Sequence, residues 1–210
     1  MQQKLWIICL FLGACKTNAV ENKDSNLPFL GKTTYIPHEN GQQTDTLYQT
    51  IPFYELTDQN GQLFRSNVLK DNIYLAHFFF TTCPSVCPKT QPFLKKVSTR
   101  FRQMNHFKII SYSIDPQYDT PKRLKSFAQQ NGFNTPNHIF LTGNKNTIYR
   151  LANEHYNTTT IQAIGTKNIL HNGALILIDK EKHIRGMYDG LDISEFERLE
   201  KDVQNLLTKL

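Results

Sequence analysis

The amino-acid sequence predicts an α/β domain built on a central, mostly parallel β-sheet with helices on both faces. Two observations lead to this prediction. From residue 51 to the C-terminus, apolar runs typical of buried strands alternate with amphipathic segments of helical period. Alternating strands and helices place their strands parallel in one sheet, because the chain crosses back over the sheet after each strand. In addition, a strand–turn–strand segment at 173–188 predicts an antiparallel hairpin.

The N-terminal part of this domain is predicted to be extended. Scattered apolar residues at 27–50 indicate a strap with a hairpin near residue 40. Two strands at 51–56 and 62–64 follow, joined by a tight turn. The segment 72–80 is almost entirely apolar, which is typical of a strand at the centre of a sheet that is covered on both faces.

The remaining elements are indicated by helical spacing, by capping residues and by further apolar runs. Helices are predicted at 90–103, 121–132, 148–155 and from 195 onward, and strands at 107–114, 138–141, 173–179 and 183–188. Thr120 and Pro121 suit the N-cap and the first position of the second helix. Ser194 and Glu197 form a capping box before the last helix. The polar residues 156–170 are predicted to be a surface loop.

The first residues are predicted to serve export and anchoring rather than folding. Residues 1–14 resemble a lipoprotein signal peptide, with an apolar stretch too short to span a bilayer as a helix. Small residues precede Cys15, as in the lipobox of bacterial lipoproteins, so Cys15 is expected to carry lipid; an ordinary signal peptide is the alternative. Residues 15–26 are polar and predict a flexible tether to a domain at 27–210. The protein is therefore expected on the periplasmic side of the cell envelope, lipid-anchored to a membrane.

Charge gives little indication of a ligand. The chain has 24 basic and 18 acidic residues, and its net charge of +6 is scattered rather than concentrated in one run. This pattern is typical of a solvated, slightly positive surface, so no nucleic-acid partner is expected.

Two thiols are expected in the mature domain. Cys9 is removed with the signal peptide and Cys15 is used for lipidation, which leaves Cys83 and Cys87. These two follow the first long strand and precede a helix, and a thioredoxin-like fold carries its redox cysteines at that position. The sequence therefore predicts a thioredoxin-like arrangement.

The spacing of Cys83 and Cys87 would place both on one face of a regular helix. However, Pro84 and Pro88 each disfavour helical backbone at the preceding cysteine, so we expect an irregular loop that leads into the helix. A helix N-terminus favours thiolates, which are both the nucleophiles of disulfide exchange and the ligands of soft metal ions. The spacing alone therefore leaves exchange and metal binding open, with an inert disulfide as a third interpretation.

A third ligand would favour metal binding, and His171 is the best candidate among seven histidines. Two thiolates with an imidazole suit both Cu(I) and Cu(II). His171 precedes the strand at 173–179, and in a thioredoxin-like sheet the loop before that strand faces the cysteine pair and usually holds a cis-proline. No proline occurs between Ile161 and Leu210. His77, in contrast, lies within an apolar strand and is interpreted as a core residue.

Three separated motifs occur in order along the chain. They are Cys83-Pro-Ser-Val-Cys87-Pro88, Asp115-Pro-Gln-Tyr-Asp119-Thr-Pro121, and His171 followed by an apolar strand that ends in Asp179. Together they resemble the Sco/SenC family, and the resemblance covers about residue 50 to the C-terminus. It implies a membrane-anchored copper metallochaperone with a thioredoxin-like fold, which helps to build the dinuclear copper centre of cytochrome c oxidase. The implied partners are the copper-binding subunit of that oxidase and a thioredoxin-like reductant, and the chain is expected to be a monomer.

The resemblance also implies roles for individual residues. Cys83, Cys87 and His171 would bind Cu(I) or Cu(II). Asp115 and Asp119 fall in the family's acidic loop and would orient or tune a ligand; alternatively, Asp119 supplies negative charge at a helix N-terminus. Family members also reduce disulfides, so an exported thiol–disulfide oxidoreductase that is indifferent to His171 is the main alternative. A peroxidase of the peroxiredoxin type is a further alternative, although no arginine is near Cys83 in sequence.

Overall fold

The computed structural model of the protein describes residues 27–37, 44–158, 161–162, 169–170 and 173–208. Its strands are β1 (Thr33–Pro37), β2 (Thr44–Tyr48), β3 (Glu55–Asp58), β4 (Leu63–Arg65), β5 (Ile73–Phe79), β6 (Phe107–Ser113), β7 (His138–Thr142), β8 (Ile161–Gln162), β9 (Ile169–Leu170), β10 (Ala174–Ile178) and β11 (Ile184–Asp189). Its helices are α1 (Val86–Arg100), α2 (Pro121–Gln130), α3 (Lys145–Arg150) and α4 (Glu195–Leu207), with single 3₁₀ and π turns at Ser66–Leu69 and Leu151–His155. The predicted signal peptide at 1–14 and the tether at 15–26 lie outside these ranges. Within the ranges, no helix is both long and apolar enough to cross a bilayer.

Seven strands form the central sheet, in the order β11-β10-β5-β6-β7-β3-β4. The three strands β5, β6 and β7 are parallel, whereas every pairing outside them is antiparallel. The prediction of a mostly parallel sheet therefore holds for the centre only, and the complete sheet is mixed. The physical reason is that β3–β4 and β10–β11 are hairpins, because a short turn can join only antiparallel neighbours.

The strand β5 lies between two hydrophobic layers, and all seven of its residues are buried. Alternate side chains of a strand point to opposite faces of the sheet. Leu75 accordingly shares one layer with Val97 of α1 and Leu199 of α4. Tyr74 shares the other layer with Ile148 of α3. The predicted central strand with both faces covered is confirmed.

The N-terminal strap contains the predicted hairpin, because β1 pairs antiparallel with β2; residues 38–43 between them lie outside the described ranges. Backbone hydrogen bonds join the strap to the sheet edge. The Leu30 N–H donates to the Ile184 carbonyl at 2.8 Å, and the Ile51 N–H donates to the Lys182 carbonyl at 2.9 Å. The strap therefore forms part of the folded domain.

Three local predictions are wrong. α1 begins at Val86 rather than near residue 90. Ser194 does not cap α4, because no α4 amide donates to its hydroxyl and its own backbone is already helical, with φ of −68° and ψ of −25°, whereas an N-cap residue needs an extended backbone. The hydroxyl instead donates to the Asp192 carboxylate at 2.7 Å. The segment 156–170 is not loop throughout, since β8 pairs with β9.

Candidate functional site

The two cysteines lie at the carboxyl end of β5, where the chain turns into α1. Cys83 sits in the turn and donates its N–H to the Phe80 carbonyl at 3.2 Å, and Cys87 is the second residue of α1. Both side chains are buried, and neither forms a disulfide. The expected irregular loop is therefore wrong for Cys87, whose backbone is helical. Pro88 is tolerated at the third helical position, because the first amides of a helix have no acceptor within the helix.

Amide groups at the start of α1 distinguish the two thiols. The Cys87 N–H donates to Cys83 Sγ at 3.4 Å, and the N–H groups of Ser85 and Val86 also stabilise that sulfur. Burial acts to raise the pKa of Cys83, but these N–H groups and a hydrogen bond from the Cys87 thiol together outweigh it and lower the pKa below its ordinary value. Burial raises the pKa of Cys87, and the neighbouring Cys83 and Asp119 add to the increase. Cys83 is therefore the more acidic thiol.

Asp119 holds the segment that leads into the cysteine turn. Its carboxylate is fully buried and accepts hydrogen bonds from the Thr81 N–H at 3.0 Å, from the Thr81 hydroxyl, and from the Ser113 hydroxyl at 2.7 Å. Ser113 ends β6 and Thr81 follows β5, so one carboxylate joins the ends of two neighbouring strands. These contacts fix the backbone two residues before Cys83. The N-cap of α2 is Thr120, as predicted, and its hydroxyl accepts from an α2 amide.

Asp115 occupies a different position in the same loop. Its N–H donates to the Ser113 hydroxyl at 3.2 Å, and its carbonyl accepts from the N–H groups of Tyr118 and Asp119. Burial raises the pKa of Tyr149, and the Asp115 carboxylate adds to that increase. Asp115 therefore shapes the loop that presents Asp119 through its backbone hydrogen bonds.

Sequence reasoning missed three residues around the cysteine turn, namely Thr81, Ser113 and Arg123. The Arg123 Nε donates to the Thr81 hydroxyl at 3.3 Å, so the fold brings an arginine near Cys83 although none is near in sequence. The only local signal was the position of Thr81 in the run before Cys83. Its partners Asp119 and Arg123 come from the loop before α2 and from α2 itself, and a local pattern does not reveal such long-range contacts.

His171, the predicted third ligand, lies outside the described residues. Among the residues that the structure does describe, no three histidine, cysteine or acidic side chains converge so as to hold a metal ion. Gly173 is described, and it packs on the first turns of α1. A Cβ atom placed on Gly173 would lie 3.1 Å from Val86 Cγ1 and 3.2 Å from Thr90 Cγ2. The residue that leads into β10 therefore lies beside α1, the helix that contains Cys87.

Two buried histidines lie behind Cys87. His77 of β5, a core residue as predicted, and His138 of β7 line with Cys87 a cavity of about 10 Å³. This volume is about that of one water molecule. The Ser111 hydroxyl and His138 Nε2 form a hydrogen bond of 2.9 Å, and burial lowers the pKa of His138 to about 3. His138 is therefore neutral at physiological pH.

Comparisons with known proteins place this site in a family. The SCO1/SenC family model matches residues 42–208. A SCO2-like protein of Rickettsia typhi is 35% identical over 157 residues, which cover 70% of this chain and 73% of that protein.

Solved structures give the same result. A SCO1/SenC family lipoprotein from Bacillus anthracis has a TM-score of 0.70 at 25% identity, covering 76% of this chain and 95% of that one. BsSco is described as a Sco family cytochrome c oxidase assembly protein with a disulfide switch. It has a TM-score of 0.67 at 25% identity, covering 76% of this chain and 94% of that one. Copper-bound ScoI of Bradyrhizobium japonicum shares the fold, with a TM-score of 0.59 at 23% identity, covering 77% of this chain and 99% of that one.

The predicted thioredoxin-like α/β fold is confirmed by these structures together with the parallel centre of the sheet. The family model covers most of the chain, including the cysteine turn and the acidic loop. The chain belongs to the SCO1/SenC family.

Proposed function

We propose that this protein binds copper at Cys83 and Cys87 and delivers it to the dinuclear copper centre of cytochrome c oxidase during assembly. The observation that carries this proposal is a pair of reduced cysteines at the N-terminus of α1, in a member of the SCO1/SenC family. Thiolate sulfur is a soft donor that favours Cu(I), and the amides around Cys83 stabilise its thiolate. Copper is the cargo of this protein.

His171 supplies the third copper ligand in this proposal. The packing of Gly173 against Val86 and Thr90 supports the assignment. His171 precedes Gly173 by two residues, so chain connectivity keeps its Cα within about 7 Å of the glycine. An imidazole beside two thiolates allows the site to hold Cu(II) as well as Cu(I).

The same cysteines reduce a disulfide in the copper-binding subunit of the oxidase. The Cys83 thiolate attacks the disulfide, forms a mixed disulfide and releases one partner thiolate. Cys87 then loses its proton, attacks Cys83 and releases the second thiolate, so two electrons pass to the partner. The more acidic Cys83 supports this order of events. A thioredoxin-like reductant restores the pair, and copper uptake follows, because copper binds the reduced thiols.

Lipid on Cys15 anchors the protein to a membrane at the periplasmic side of the cell envelope. The small residues before Cys15 support this assignment. The similarity to a protein described as a SCO1/SenC family lipoprotein supports it further. The polar residues 15–26 act as a tether whose ends lie roughly 15–20 Å apart if they behave as a coil.

Copper transfer tests the delivery proposal. The copper-loaded protein is mixed under anaerobic conditions with the copper-free soluble domain of the oxidase's copper-binding subunit, and the visible absorption of the dinuclear centre is followed. We expect the absorption to appear with the parent protein and to be largely lost with Cys83→Ala and with His171→Ala. Rapid reduction of the subunit's disulfide without any copper transfer would instead identify the protein as a thiol–disulfide oxidoreductase.

A further inference from the structure

A basic pocket opens beside the cysteine turn and takes no part in the proposed copper site. It has a volume of about 420 Å³ and lies between Thr81 and the exposed face of α2. Lys122 and Arg123 supply two positive charges, and Ser126 and Gln130 add polar groups. Within the described ranges no carboxylate lines it. The composition of the pocket therefore suits an anionic group.

The guanidinium of Arg123 is held in place at this pocket. Its central carbon lies 3.9 Å from the centre of the Tyr118 ring, and its Nη2 donates to the Tyr118 hydroxyl at 2.5 Å. Its Nε donates to the Thr81 hydroxyl at 3.3 Å. A guanidinium has five N–H donors, and these two contacts use two of them, so Arg123 can still bind a carboxylate.

The carboxylate of Asp119 is close to the pocket but does not line it. It is fully buried and accepts hydrogen bonds from Thr81 and Ser113. Its oxygens are therefore directed into the protein, whereas Lys122 and Arg123 are exposed to solvent. An approaching anion meets the two cations first, and such local fields steer charged partners.

The pocket is also close to the reacting thiol. Thr81 lines it and precedes Cys83 by two residues, so their Cα atoms are at most about 7 Å apart. A side chain two or three residues from a sulfur that meets Cys83 is therefore within reach of Thr81. We propose that the pocket binds a carboxylate side chain of the partner polypeptide, located within two or three residues of the cysteine that meets Cys83, an inference that rests on the proposed exchange and copper transfer at Cys83.

Exchange with synthetic peptides tests this proposal. Each peptide contains one cysteine, with glutamate, glutamine or lysine at all three positions on each side of it, and the cysteine is joined by a disulfide to 2-thiopyridine. The Cys83 thiolate attacks the peptide sulfur and releases 2-thiopyridone, whose absorbance gives the rate; Cys87 then releases the peptide thiol and closes the Cys83–Cys87 disulfide. The protein carries Cys9→Ser and Cys15→Ser, so that Cys83 and Cys87 are its two thiols.

We expect the glutamate peptide to react at least about threefold faster than the glutamine peptide, because the two cations raise its local concentration. The ratio of these rates is expected to fall to near one in Lys122→Gln/Arg123→Gln. Arg123→Lys keeps the charge and is expected to retain most of the preference. Lys125→Gln removes one charge from α2 outside the pocket and is the matched control. Salt of about 1 M, where the Debye length is about 3 Å, should abolish the preference.

Equal rates for the glutamate and glutamine peptides, or a preference that survives in Lys122→Gln/Arg123→Gln, would overturn the proposal while leaving the exchange reaction intact. If no peptide reacts, the proposed reductase activity fails, and NMR titration with a glutamate peptide containing serine for cysteine decides the question of the pocket. Saturable shifts at the amides of Thr81, Arg123 and Ser126 would support a carboxylate site. Their absence would overturn it.

Discussion

At the scale of single residues, the candidate site depends on the different surroundings of Cys83 and Cys87. Three amides at the start of α1 stabilise a thiolate on Cys83, whereas Cys87 is buried behind it beside His77 and His138. This difference suits the proposed disulfide exchange, because one thiol attacks while the other remains protonated until it is needed.

Alkylation measures this difference directly. In a protein that carries Cys9→Ser and Cys15→Ser, the further change Cys87→Ser leaves Cys83 as the single thiol, and Cys83→Ser leaves Cys87. At neutral pH we expect iodoacetamide to modify Cys83 at least about tenfold faster, because each unit of pKa changes the thiolate fraction tenfold. The midpoint of the pH–rate curve should also lie lower for Cys83. Equal rates would show that the α1 amides do not distinguish the thiols.

Asp119 should be far more important for stability than Asp115. Asp119→Asn removes a buried charge that accepts three hydrogen bonds, so urea unfolding should show a loss of about 2–3 kcal/mol. Asp115→Asn changes a side chain that is only partly buried and should cost less than about 1 kcal/mol. Similar losses in the two variants would argue against the role given to the Asp119 carboxylate.

His138 should make stability depend on pH. Burial lowers its pKa in the folded state to about 3, against 6.5 in the unfolded chain, so the unfolded state binds the proton more readily between these values. Stability from this group is present above about pH 6.5 and is lost as pH falls, by about 2 kcal/mol between pH 7 and pH 5.

Unfolding at several pH values checks this account of His138. His138→Gln keeps a hydrogen-bonding group near Ser111 but does not titrate, so its stability should fall less steeply below pH 7, although its stability at pH 7 is lower. The exposed His106 provides the control variant His106→Gln, whose profile should follow that of the parent. An unchanged slope in His138→Gln would contradict the buried neutral state.

The roles of single residues could be predicted where they depend on neighbours in the sequence. The positions of Cys83 and Cys87 after an apolar strand indicated a reactive pair from sequence alone. The hydrogen bonds of Thr81 and Ser113 to Asp119 were not predictable, because they join the ends of two strands that are distant in sequence. For the same reason Arg123 was missed.

At the scale of elements, Arg185 of β11 attaches the start of the strap to the sheet, in addition to the backbone hydrogen bonds of the strap. Arg185 donates to Asp179 at 2.8 Å, and both side chains are less than a tenth exposed. The same guanidinium donates to the carbonyls of Leu27 and Pro28 and lies over the ring of Phe29. The start of the strap is therefore held by a cation on β11.

Removal of this cation should release the strap. Arg185→Gln leaves the Asp179 charge buried without its partner, and we expect a loss of about 3–5 kcal/mol on denaturant unfolding. Hydrogen exchange should also accelerate at the Leu30 amide. The matched control is Arg65→Gln, which breaks the exposed pair with Glu55 and should cost less than about 1 kcal/mol. Equal effects of the two variants would contradict the anchoring role.

Element types were largely predictable, and element ends were not. Apolar runs identified β5, β6 and β10, because a strand that is buried on both faces is apolar along most of its length. The start of α1 was misplaced because Pro88 was taken to prevent helix, although the first turn of a helix tolerates proline. The capping box failed because the backbone of Ser194 is already helical, whereas an N-cap residue needs an extended backbone.

At the scale of the whole molecule, the fold places the ends of β5, β6 and the chain before β10 around the N-terminus of α1. Asp119 joins the first two, and Gly173 packs the third against the helix. The strands on both sides of the parallel centre pair antiparallel. This arrangement was only partly predictable, since the placement of hairpins in a sheet depends on tertiary packing. The result is a pair of thiols with a basic pocket beside it.

The measurement that tests the central claim most directly is an anaerobic Cu(I) titration of the reduced protein against a competing chelator, repeated on Cys83→Ala, Cys87→Ala and His171→Ala. We expect one tightly bound copper in the parent and sharply weaker binding in all three variants. Tight binding that persists in His171→Ala would leave a site of two thiolates and contradict the third ligand. Absence of tight copper in the parent would contradict the copper-binding function itself.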